Sequence, residues 1–119
     1  MWLSGNLSVS AAEFPFGMEM TLDAPPKPRS QRIPTVEIGE NGEAQLDLWC
    51  KRGRGQFSVA NNTVIFMAGK MEDTSCAPDL AQADDALLRA LGEAATWTRQ
   101  GDFVSFAGPA TVRFRINTN

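Results

Sequence analysis

Apolar and polar residues alternate with a period of two through most of this chain. Met18, Met20 and Leu22 are separated by Glu19 and Thr21, and Val36 and Ile38 by Glu37. Ala44, Leu46, Leu48 and Cys50 alternate with Gln45, Asp47 and Trp49. Each run reads as a strand with one buried face, and Leu7 with Val9 opens the series. Gly39-Glu40-Asn41-Gly42 predicts a hairpin with a type I′ turn, because Asn and Gly both tolerate its positive φ values. A second hairpin joins 56–59 to 63–67 across Ala60-Asn61-Asn62. Further strands at 103–107 and 111–116 flank a Gly108-Pro109 turn, with Val112, Phe114 and Ile116 facing inward and Arg113 and Arg115 outward.

The period changes once. Leu80, Ala83, Leu87, Leu88, Leu91 and Ala94 recur at helical spacing, Pro78 suits a first helical position, and Glu72, Asp73 and Asp79 put negative charge near the N-terminal end of the dipole. The pattern predicts a helix over 78–93, ended with the help of Gly92. Residues 24–33 hold Pro25, Pro26 and Pro28, which remove ladder donors, so this segment reads as an extended connection between strands or, less simply, as a PxxP-type ligand. The fold class that follows is α+β: a mainly antiparallel β-sheet or partly open barrel with one packed helix near residues 78–93, in a single domain over 1–119.

Composition narrows the chemistry. The 119 residues include 43% hydrophobic and 21% charged positions but no histidine and no tyrosine, which excludes Ser-His-Asp and Cys-His nucleophiles, HExxH zinc sites and imidazole acid–base work. A net charge of −3 argues against nucleic acid as a partner. The longest apolar run, Val64-Ile65-Phe66-Met67-Ala68, is too short to cross a bilayer as a helix. The first residues, Met1 to Leu7, lack the basic and apolar regions of a signal peptide, so the expectation is a cytoplasmic chain or a mature exported one.

Few residues are candidates for function. Cys50 and Cys76 cannot supply four zinc ligands, and they read as two buried thiols or one disulfide. Lys51-Arg52-Gly53-Arg54-Gly55, flanked by Trp49 and Phe57, reads first as a flexible, solvated turn between strands and, as the alternative, as a clamp whose Arg forks hold an anion, phosphate or lipid head group. Trp97, Arg99 and Arg113 offer stacking or binding across the sheet, although a tryptophan beyond a helix more often seals a core edge. The candidate binding surface is therefore Lys51, Arg52, Arg54, Trp97 and Arg113. Asp84-Asp85, with Glu72, Asp73 and Asp79, reads as a solvated helix face, because neighbours at i and i+1 do not face one another. Phe14-Pro15-Phe16-Gly17-Met18 and Met20 read as core filling before ligand lining.

The order of features in the second half resembles the META domain, the family of HslJ-type heat-inducible bacterial lipoproteins. The resemblance rests on Cys50 after a strand, the glycine-rich stretch, Gln56-Phe57, Thr74-Ser75-Cys76, a helix with Asp84 to Leu91, Trp97, Gly101-Asp102-Phe103-Val104-Ser105-Phe106 and Val112-Arg113-Phe114. It covers roughly 44–116, and the family's Gly-Cys-Asn is replaced here by Trp49-Cys50-Lys51. The resemblance implies a small α+β domain, a Cys50–Cys76 disulfide, and a periplasmic or exported location. It also implies a link to stress or antibiotic tolerance and no catalytic residue.

The expectation is thus a non-enzymatic envelope domain, without cofactor or metal, that binds a protein or lipid partner. The alternative is a secreted protease-inhibitor-like module that presents residues 24–33 or 51–56.

Overall fold

Among the described residues the alternation resolves into eight strands and the change of period into one helix. In chain order these are β1 (Met18–Leu22), β2 (Thr35–Ile38), β3 (Glu43–Asp47), β4 (Arg52–Ala60), β5 (Thr63–Met71), α1 (Pro78–Glu93), β6 (Thr96–Gln100), β7 (Phe103–Ala107) and β8 (Val112–Ile116). The computed structural model describes residues 14–30, 32–72 and 75–118. The expected strand around Leu7 and Val9, together with Asp73 and Thr74, lies outside the described residues.

Every neighbouring pair of strands is antiparallel, and β1 pairs with β8 through Met20↔Ile116 and Leu22↔Phe114. The barrel is therefore closed, not partly open. Closure satisfies the outer edges of β1 and β8, which an open sheet would leave to pair with other chains. Alternation shows which face of a strand is buried but not which strand lies beside it, and the closing pair is the most distant in sequence.

Aromatic rings fill the interior. Phe57 lies 4.8 Å from Phe66, and Phe106 lies 5.8 Å from Phe114. Trp97 is fully buried, and its indole N–H donates to the Asn61 carbonyl at 2.8 Å. Phe14 plugs the end of the barrel near the 39–42 turn, with its ring 5.0 to 6.2 Å from those of Phe16, Phe57, Trp97 and Phe106. This confirms core filling as the role of Phe14 and Met20, whereas Met18, expected on the buried face, is exposed. At the other end α1 lies across the opening and sends Leu87 and Leu91 into the same core.

The helix occupies the predicted residues, but Gly92 does not end it. Gly92 sits in the last turn, and the chain becomes extended at Ala94 (φ −66, ψ 138) as the Ala95 N–H bonds to the Ala107 carbonyl at 2.8 Å. Strand pairing overrides the helix-stop signal. β5 and β6 meet only at Thr63↔Thr96, and α1 packs along the part of β5 that β6 leaves unpaired.

Two details of the turns differ from expectation. In the β2–β3 hairpin only Gly42 has positive φ (85), the Gly42 N–H donates to Gly39 and the Gly39 N–H to the Glu43 carbonyl. This is a type I turn followed by a left-handed glycine, not type I′. A Cβ at Gly42 would also lie 2.3 Å from the Phe57 carbonyl oxygen, so β4 can pass only a glycine there. Residues 52–55, expected as a turn, are strand: Gly53 and Gly55 point inward, and a Cβ at Gly55 would lie 2.6 Å from the Phe66 ring. Their missing side chains let β4 press against β5, where a bulge gives β5 an extra residue opposite the 53–55 interval.

Phe14→Ala should lower unfolding free energy by about 3–5 kcal/mol, since it empties a site walled by four aromatic rings. Urea denaturation of the full chain measures this, and a loss under about 1 kcal/mol would contradict the plug.

Candidate functional site

The hydrophobic alternation of the third strand runs to Cys50, yet β3 stops at Asp47. There the chain folds back tightly, with the Leu48 N–H donating to the Lys51 carbonyl at 2.8 Å. The next three peptide N–H groups turn toward α1 and converge on one carboxylate. Trp49 donates to Asp84 Oδ1 at 2.7 Å, and Cys50 and Lys51 donate to Oδ2 at 3.1 and 2.9 Å. Asp84 is wholly buried. A buried carboxylate is tolerated only when its charge is met by donors, and three peptide dipoles aimed at it do that.

The carbonyl side of the same loop is held from the opposite direction. Arg32 donates through Nε to the Leu48 carbonyl and through Nη2 to that of Cys50, both at 2.7 Å. Ser30 Oγ bonds to the Trp49 carbonyl, also at 2.7 Å. The loop's peptide dipoles thus run between a cation and an anion, each favouring the orientation the other requires. The Cys50–Cys76 disulfide, with Cα atoms 6.0 Å apart, ties the loop to the segment entering α1. Lys27 Nζ stands 5.1 Å from the Trp49 ring centre, and Lys51 Nζ lies 3.6 Å from Asp85.

This arrangement corrects the reading of Asp84-Asp85 as a solvated face. Asp85 is exposed, but Asp84 falls on the stripe of Leu80, Leu87 and Leu91, which are all buried. That stripe was visible in the sequence: positions 80, 84, 87 and 91 share one helix face, and an acid among them called for buried donors. The carboxylate oxygens are taken up by the loop, and Glu72, Asp79 and Asp85 are exposed.

The basic stretch is divided by β4 into different environments. Lys51 turns to Asp85, whereas Arg52 and Arg54 stand on the outer wall of the barrel. They line a shallow groove of ≈ 510 Å³ together with Gln45, Asp47, Lys70 and Glu72. Arg52 pairs with Asp47 at 3.0 Å. Lys70 joins the groove through the β5 bulge, which breaks strict alternation and hid it from periodicity. Arg113 stands on the far wall, 2.6 Å from Asp23 and stacked 4.7 Å from the centre of the Phe103 ring. Trp97 is in the core and belongs to no surface. The five predicted surface residues therefore do not form one patch, and only Arg52 and Arg54 share a groove. Of the loops suggested for protease inhibition, 52–56 is strand, while the exposed stretch after β1 is anchored through Ser30 and Arg32.

Comparison with known proteins agrees with this architecture. The family model of the META domain matches residues 18–116 and so begins well before the residues on which the resemblance rested. A chain solved by NMR is 18% identical and superposes with a TM-score of 0.64 over 84% of this chain and 89% of its own, a likeness of fold alone. A search of curated proteins finds no match.

Asp84→Ala should cost about 3 kcal/mol, because three peptide N–H groups lose their acceptor. Asp85→Ala should cost under about 0.5 kcal/mol, its partner being a single surface lysine. Equal effects in chemical denaturation would refute the distinction. Reduction of the disulfide should lower stability by about 3.5 kcal/mol on the chain-entropy account of a loop of about 27 residues. The denatured, unreduced chain should show no titratable thiol, and two titratable thiols would contradict the bond.

Proposed function

The chain belongs to the META domain family, and from that premise we propose that it is an exported, non-enzymatic domain that binds an envelope partner, protein or lipid, through the outside of its barrel. The filled lumen is the observation that carries this reading. Phe14, Phe57, Phe66, Trp97, Phe106 and Phe114 occupy the space in which a ligand-carrying barrel would hold its cargo. Recognition is then left to the outer wall, where Arg52, Arg54 and Lys70 line a groove.

The disulfide supports the location, because such bonds persist in oxidising compartments. The anchoring of Asp84 supports the absence of catalysis, because the carboxylate with the most unusual surroundings is engaged in holding a loop. The stress and antibiotic-tolerance context is taken from the family resemblance.

A photoreactive residue at Ser58, on the β4 outer face, should form a reproducible adduct in cells that export the chain. Ser105 on β7 should form less. Absence of any adduct from either wall would overturn the reading.

A further inference from the structure

Two kinds of exposed side chain lie side by side on the outer wall of β4 and β5. Ile65 and Met67 are 62% and 67% exposed, the most exposed large apolar residues among those described. Their register, Ser58↔Ile65 and Gln56↔Met67, puts them on the outward face of the same two strands. Arg54 is the next outward position of β4, and the bulge brings Lys70 beside it in the groove. Arg54 and Lys70, like Lys27, Arg32, Arg89 and Arg115, have no carboxylate partner among the described residues, but these two stand side by side in one groove. The groove holds three cations, Arg52, Arg54 and Lys70, against two carboxylates, Asp47 and Glu72, so a small excess of positive charge stands next to apolar side chains held in water.

That combination fits a surface with phosphates above hydrocarbon. A stable protein interface needs roughly 800 Å² of complementary surface from each partner. Here the apolar part is two projecting side chains bordered by Ser58, Ala68 and Gly69. A bilayer needs no complementary shape. It accepts apolar side chains at the boundary of headgroups and acyl chains, and it holds nearby Lys and Arg through anionic lipid.

We propose that the β4–β5 wall docks on the surface of a bilayer containing anionic phospholipid. Ile65 and Met67 enter the headgroup–acyl boundary, and Arg54 and Lys70 meet the phosphates. This rests on the reading of the chain as an envelope-binding domain and names the partner of its outer wall.

Flotation of the full chain with phosphatidylcholine vesicles, with and without one quarter phosphatidylglycerol by lipid fraction, tests it. The chain should float with the anionic vesicles, and raised salt should release it. Arg54→Gln with Lys70→Gln should lower the partition coefficient on the order of 30-fold, at about five-fold per cation. Ile65→Ser with Met67→Ser should also weaken it, while Arg115→Gln, on β8 across the barrel, should leave it unchanged. Circular dichroism of each variant checks that the barrel is intact. Equal binding to both vesicle types, or binding indifferent to the Arg54 and Lys70 substitutions, would overturn the proposal. No flotation alongside a protein adduct at Ser58 would overturn it and leave the envelope-binding reading standing, whereas neither flotation nor adduct would overturn both.

Discussion

A single carboxylate organises one end of this barrel. Asp84 reaches from α1 to three consecutive peptide N–H groups of the loop between β3 and β4, while Arg32 takes the carbonyls of the same loop. The two charges belong to segments that no hairpin brings together. Their meeting fixes where α1 lies relative to the sheet, and so which of its side chains enter the core. The apolar contacts of Leu87 and Leu91 supply burial but little orientation, because packing of that kind is non-directional. The hydrogen-bonded carboxylate supplies the direction.

The same junction shapes the outer wall. β4 can start directly after the loop because Gly53 and Gly55 let it press against β5, and the bulge takes up the mismatch in length. One consequence is the outward position of Lys70 beside Arg54. The groove is thus made by backbone irregularity, with the helix junction at one side and regular hairpin at the other. A strictly regular β5 would carry its side chains past the bulge in the opposite phase.

Much of the fold was legible because burial imposes period two on strands and period 3.6 on the helix. The buried stripe of α1 and the inward set Val112, Phe114 and Ile116 follow from that alone, while the bounds of α1 also draw on Pro78 and Gly92. What was not legible depends on partners distant in the chain. Barrel closure joins Met20 to Ile116, the end of β3 is set by Asp84, and glycines at 53 and 55 read as a turn until β5 is beside them. The candidate surface was harder still: Arg52 and Arg54 were found by composition, Lys70 was hidden by the bulge, and of the two readings of Trp97 the core one holds, because an aromatic near a helix end looks alike whether it seals a core or faces a ligand. The disulfide was one of two readings that the cysteines left open, and family resemblance favoured it.

Closure through the first and last strands has a consequence for a chain made from its N-terminus. β1 through β5 can pair successively as hairpins while synthesis continues, but the second edge of β1 has no partner until β8 has emerged. During that interval the nascent sheet presents an open edge to whatever accompanies it, and slow synthesis prolongs the exposure. The finished molecule is guarded by its circular pairing, so its vulnerability belongs to its making.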